Sequence, residues 1–292
     1  MKKISIATIL CFLAYLLNGC AMKWTPSWQE EVGDRLPTER TLKLSTEARK
    51  LFQSADDEKS LRASIAAYDK IIDENPNDYY GLKMLSTQYI LLGTAYTEDR
   101  PEKSEYFHRA MVYAERAMYT NDNFRLMVNA GLKPWEAVTA LGTDETEAMF
   151  FWVTALQYEF KEGMTLPEKI ININWLHHAL LFLDRIEEVD PQFGGGAVEF
   201  AKVICYYALP KSKGGSKSKG DAYMEKAVER GKRRLLPRWA RGKYYYPIKG
   251  EPELARLDLE WVATRKLADF EDLYPWRVHF QEDARRLLAE SK

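Results

Sequence analysis

The sequence predicts an all-α protein built as a solenoid of helical hairpins. Three observations carry that expectation. Apolar residues recur at helical spacing from Ser45 almost to the C-terminus; no stretch alternates apolar and polar in the manner of a strand; and proline and glycine punctuate the pattern at hairpin intervals. The clearest case lies in residues 175–246. Leu176, Leu180, Leu183 and Ile186 share one helical face, and the pattern stops at Asp190 and Pro191, where proline cannot continue a helix. Three glycines turn the chain. A second face, Val198, Ala201, Ile204, Cys205 and Ala208, ends at Pro210, and a third begins at Gly220, Met224 and Ala227, with a helix start near Ser218 or Asp221.

The N-terminus is a different kind of segment. Lys2 and Lys3 precede an apolar run from Ile4 to Leu17, which ends in Gly19 and Cys20. The run matches a secretory signal core of ~7–15 residues and is short of the ~20 that cross a bilayer. A small residue before cysteine resembles the bacterial lipoprotein signal, with Asn18 standing where Ala or Ser is usual. Residues 1–19 are therefore expected to be a lipoprotein signal peptide, Cys20 the lipidated N-terminus, residues 20–42 a tether and residues 43–292 one helical domain. An ordinary secretory signal is the alternative. Trp24 and Trp28 within the tether suggest that part of it docks on the fold.

Of the cysteines Cys11, Cys20 and Cys205, only Cys205 then remains in the folded part, so no intrachain disulfide is expected there. A chain of this length buries about 75% of its unfolded surface and has core enough without one. Cys205 sits in an apolar helical pattern, as a small hydrophobe would. Removing Lys2 and Lys3 moves the net charge from −1 to −3, and a balance so near neutrality gives no reason to expect nucleic acid.

The hairpins fit a degenerate 34-residue tetratricopeptide template in about four units. With Pro76 closing the first, Ala48, Leu51, Phe52 and Ala55 fall at the packing positions of its first helix, and Ser64, Tyr68 and Ile71 at those of its second. A second unit, residues 80–122, has Leu82, Leu85, Tyr89, Leu92 and Gly93 opposite Ala110, Ala114 and Ala117; its excess length is assigned to an insertion at residues 98–103. A third has a first helix over residues 145–162, rich in bulky side chains, and a second ending at Pro191. The fourth lies in residues 175–246, as above.

Particular residues carry a closer likeness. They are Ala148 to Trp152; Val189, Asp190, Pro191 and Phe193 before glycines; Tyr206 to Pro210; Gly214 to Ser216; Ala227; Arg238 to Tyr244; and Ala284 to Leu288 near the C-terminus. Their order and spacing resemble the TatT component family, periplasmic lipoproteins associated with tripartite ATP-independent periplasmic (TRAP) transporters. The likeness departs in the lysine-rich loop 211–219 and in residues 254–269. It implies a binding or assembly role alongside the transporter's periplasmic solute-binding protein, a homotrimer with a ligand-accessible cleft or pore, and no catalysis. A general envelope scaffold for another complex is the alternative function. A lipid anchor facing the periplasm, at the outer membrane, is the expected location.

His108, His177, His178 and His279 show no metal-ligand spacing, and adjacent helix positions such as His177 and His178 point about 100° apart. The loop 214–220 lacks the adjacent Gly-Lys pair of a phosphate-binding loop and follows no strand. No paired carboxylates or nucleophile-base constellation stands out. The sequence thus implies neither metal nor cofactor nor enzyme. Cations crowd residues 211–243, and Lys217, Lys219, Arg233, Arg234, Arg238 and Arg241 are candidates for a basic patch that meets anionic lipid, an acidic partner or an anionic solute; a solvated helix end is the bland reading. Trp152, Tyr158, Tyr206, Tyr207, Tyr244, Tyr245 and Tyr246 are candidates for lining a groove.

Overall fold

The computed structural model describes residues 21–26 and 37–291, and every regular element among them is a helix. Helix α1 (Glu39–Gln53) begins where the Thr38 hydroxyl accepts from the Thr41 amide, and α2 (Glu58–Glu74) begins at a reciprocal cap between Asp57 and Ser60. They pair as a hairpin, with Ala48, Phe52, Ser64, Tyr68 and Ile71 sealed from solvent. Ala48 and Ser64 are small enough to let the bulky partners interdigitate.

The second hairpin is α3 (Tyr79–Ala95) and α4 (Arg100–Tyr119). Ala110, Ala114 and Ala117 are fully buried, so the two helices approach closely along that stripe. The expected insertion at residues 98–103 does not exist as a loop. Asp99 accepts from the Glu102 amide and Pro101 occupies the first turn, so the extra residues lengthen α4 itself.

A short helix, α5 (Asp122–Asn129), and two single turns lead to α6 (Thr146–Tyr158). The helix expected to run to residue 162 widens into a π-turn at Glu159–Gly163, and a further short helix, α7 (Leu166–Ile171), precedes α8 (Trp175–Val189). Helix α8 ends at Asp190, as the proline requires. Gly194, Gly195 and Gly196 then all take positive φ. Gly196 caps α9 (Ala197–Ala208) at φ 90°, and a Cβ there would overlap the Ala227 carbonyl, so this turn needs glycine on two counts.

Helix α10 (Lys217–Arg230) starts one residue before Ser218, because the Ser216 hydroxyl caps it. Then come α11 (Leu236–Ala240), a π-turn (Arg241–Tyr245), α12 (Tyr246–Lys249), α13 (Pro252–Ala263) and α14 (Tyr274–Glu290). Helix α14 packs on α13 and returns to α1, and the Trp276 indole donates to Thr87 Oγ1 of α3 at 3.1 Å. The row of hairpins is thereby closed by its last helix. Two apolar clusters form, one from α1 to α9 and one joining α9 to α10 through α14, and Trp276 packs against both. Helix α9 serves the two at once: Val198, Ala201 and Cys205 face the first, Phe200 and Val203 the second.

Candidate functional site

The closure leaves a cavity of about 840 Å³ between the two clusters. Its walls come from both ends of the chain: Thr87 and Ile90 of α3, Phe150, Phe151 and Thr154 of α6, Phe200 and Ile204 of α9, Leu236 and Trp239 of α11, and Trp276 and Phe280 of α14. Aromatic and aliphatic carbon dominates. The volume suits a small organic molecule.

Polar groups are spread through the wall, among them Glu147, Gln157, Lys217, Arg234 and Asp272, and two lysines approach Tyr244. Lys243 Nζ lies 5.2 Å from the Tyr244 ring centre, and Lys161 Nζ lies 5.3 Å from the same ring. The Tyr244 hydroxyl is buried and has no hydrogen-bond partner among the described residues. Burial, with Tyr158 next, drives its pKa well above the ordinary phenol range. Burial does the same to Tyr158. Both hydroxyls stay protonated at neutral pH.

Next to Lys243 lies a buried network centred on Asp283. Its carboxylate accepts from the Trp239 indole at 2.8 Å, from Lys243 Nζ at 2.9 Å and from Arg286 Nη2 at 2.6 Å. Burial opposes ionisation, yet Lys243 and these donors together hold the carboxyl below its usual range. His279 lies beside Trp239, Trp276 and Phe280, and its Nε2 has no partner among the described residues. Burial, then Lys243, lowers its pKa to about 3, so the imidazole is neutral.

The tyrosines predicted to line a groove divide. Tyr158, Tyr207, Tyr244 and Tyr245 lie on the cavity wall. Tyr207 and Tyr245 both donate to Asp221, the latter at 2.8 Å, and Lys249 pairs with the same carboxylate at 3.1 Å. Tyr206 instead stacks on Tyr223 outside the wall, at 5.6 Å between ring centres, and Tyr246 lies under Arg241. Trp152 belongs to the core. It is fully buried, tilts onto Phe182 at 4.8 Å and donates to Glu115 at 2.8 Å. A helix pattern shows that such a ring is inward, without saying whether the inside is packed or hollow.

The wall residues missed in the sequence are chiefly Trp239, Trp276 and Phe280. The i, i+4 spacing of Trp276 and Phe280 was the available signal, since it places both on one face of a helix.

The basic patch divides as well. Arg241 forms a two-pronged bond to Asp258 at 2.6 and 2.9 Å, and Arg238 stands 3.7 Å from the same carboxylate, over the Trp261 ring. Arg233 pairs with Glu271 at 2.8 Å, and Arg234 stands 4.0 Å from Asp272. The arginine half is therefore paired with carboxylates from α13 and the loop before α14, with Asp258 shared by two arginines. Lys217 and Lys219 are exposed and form no ion pair among the described residues; Lys217 lies at the cavity wall and Lys219 over the Tyr206 ring.

The remaining candidates hold no reactive arrangement. Cys205 is buried, and burial raises its thiol to about 12. His178 stacks on Trp135 at 3.9 Å, and burial, with His177 next, lowers it to about 4. Among the described residues no group of three or more His, Cys, Asp or Glu side chains is placed to hold a metal ion. Cys20 and Trp28 lie outside the described residues.

A family model described as the TRAP transporter T-component, TAtT, matches residues 57–291, which takes in every helix from α2 onward and all the cavity-lining residues. The chain belongs to that family. Membership associates this T-component with a TRAP transporter, a setting in the cell envelope, and the family is a transporter component rather than an enzyme family. No curated protein matches the T-component chain. No described helix is long and apolar enough to cross a membrane.

Proposed function

We propose that this T-component is a lipid-anchored, periplasm-facing partner of a TRAP transporter, in which the cavity receives solute and the surrounding surface docks the transporter's solute-binding protein. The observation that carries the reading is the cavity itself: about 840 Å³ of largely apolar space inside the part of the chain that the family model matches. Its position supports the same reading. Helices from opposite ends of the sequence meet around it, joined by contacts such as Trp276 to Thr87. We read the hairpins as tetratricopeptide-like units, a scaffold whose concave face is the usual binding surface.

Apolar walls select the body of a ligand by burial, at about 25 cal/mol per Å² removed from water. The group formed by Lys161, Lys243 and the Tyr244 hydroxyl orients it. Anchoring rests on Cys20 at the end of the N-terminal apolar run, and an outer-membrane site is part of the proposal.

Two experiments test this. Calorimetry of the purified domain against the cognate solute-binding protein, loaded and empty, is expected to register binding in at least one state. Silence in both would remove the docking role. Labelled palmitate is expected to enter the wild type and not Cys20→Ala; label in both would remove the anchor.

A further inference from the structure

The segment after Cys20 is held to the fold. The Met22 amide donates to Asn172 Oδ1 at 2.7 Å, and the Met22 side chain packs on the larger apolar cluster. The Trp24 indole donates to the Glu115 carboxylate at 3.1 and 3.2 Å, meets Trp135 edge-on at 6.2 Å and lies under Lys133 Nζ at 4.6 Å. Met22 is two residues from Cys20, so the fold is within about 7 Å of the cysteine along even a fully extended chain. A tether of that length fixes which surface a lipid anchor can bring to the bilayer.

The surface at that point is unusual in composition. Asn172 is the C-cap of α7, whose Leu166 and Ile170 are 71% and 66% exposed, one turn apart on one face. On the other side of Asn172, Asn174 Oδ1 accepts from Lys213 Nζ at 2.6 Å, which places the turn between α9 and α10 beside the same corner. Lys211, Lys213, Lys217 and Lys219 in and after that turn have no carboxylate partner among the described residues, and Lys23 is exposed next to Met22. Leucine and isoleucine standing out of a short helix beside unpaired lysines are what a leaflet with anionic headgroups accommodates: apolar side chains enter the interface and ammonium groups stay at the phosphates.

We propose that the corner formed by α7, the start of α8 and the lysine turn is the membrane-facing surface of the protein, with Leu166 and Ile170 in the headgroup region and the lysines against anionic lipid. The inference rests on the lipid anchor proposed above. It also accounts for the lysine half of the basic patch, which no acidic side chain among the described residues pairs with. Lys161, just before α7, and Lys217 line the cavity too, so its wall reaches this corner.

The test uses the full-length acylated protein in vesicles of phosphatidylethanolamine and phosphatidylglycerol. A small fluorophore is attached at Ile170→Cys or, as comparator, at Leu42→Cys on α1; Leu42 is 54% exposed, and α1 packs chiefly on α2 and α14, away from this corner. A headgroup nitroxide lipid is expected to quench the probe at 170 and leave that at 42 unaffected. Trp24→Ala combined with Asn172→Ala, which removes both hydrogen-bonded attachments of the segment, is expected to lower quenching at 170 toward the comparator while the protein still floats with vesicles. Equal quenching at both sites in floating protein would overturn the orientation, and full quenching retained in that double variant would overturn the role of the docked segment. Protein that fails to float at all would overturn the anchor itself, and the orientation with it.

Discussion

His279, packed behind three aromatic residues of the cavity wall, gives the fold a pH dependence that can be measured without knowing the ligand. The imidazole is 7% exposed, ringed by Trp239, Trp276 and Phe280, and has its pKa lowered to about 3, first by burial and then by Lys243. In the unfolded chain the same group titrates near 6.5. As pH falls below that value the unfolded state takes up a proton that the folded state refuses until about pH 3, so acid favours unfolding across that whole window. At about pH 5 the one group costs 1.5 units at 1.36 kcal/mol each, or about 2 kcal/mol. His279→Phe keeps a flat ring among aromatic neighbours and removes the titration. Urea unfolding of wild type and variant at about pH 7.5 and about pH 5 isolates the effect, because contributions from His178 and the carboxylates are common to both proteins and cancel. The wild type is expected to lose about 2 kcal/mol more than the variant on acidification, equivalent to roughly 4–8 °C in Tm for a domain of this size. Equal losses would show that the imidazole is solvated or charged in the folded protein and would refute the reasoning.

Other perturbations follow from the same contacts. Asp283→Ala strands Lys243 and the Trp239 indole in a buried setting, so thermal unfolding is expected to show a loss of about 3–5 kcal/mol, whereas Asp283→Asn, which keeps an acceptor, loses less. Gly196→Ala forces a left-handed conformation and an overlap with the Ala227 carbonyl, and is expected to cost about 3 kcal/mol or more in urea unfolding.

How much of this was legible in the sequence depended on the range of the interaction. Boundaries set by a neighbour in the chain were readable: Pro191 and Pro210 stop α8 and α9 where the pattern breaks. Asp99 with Pro101 was an equally local signal, and taking it for part of a loop misplaced the start of α4. Helices as short as α5 and α7 carry too few turns for a period to register. Long-range pairing was invisible. The cations of residues 211–243 look uniform in sequence, yet Asp258, Glu271 and Asp272 pair with Arg233, Arg234, Arg238 and Arg241, while Lys217 and Lys219 have no ion pair among the described residues. The cavity was hidden for the same reason, because it exists only once α14 returns to α3 and α1.

The central claim is that the cavity is where this T-component works with its transporter. Ile204 is on the cavity wall and only half-buried, so Ile204→Trp fills the space from α9 with little disturbance of either apolar cluster. The decisive measurement is a calorimetric titration of wild type and Ile204→Trp with the loaded solute-binding protein and with its free solute. Solute uptake is expected in the wild type and at least tenfold weaker binding in the filled variant, a change of about 1.4 kcal/mol. Identical isotherms for the two proteins would contradict the account.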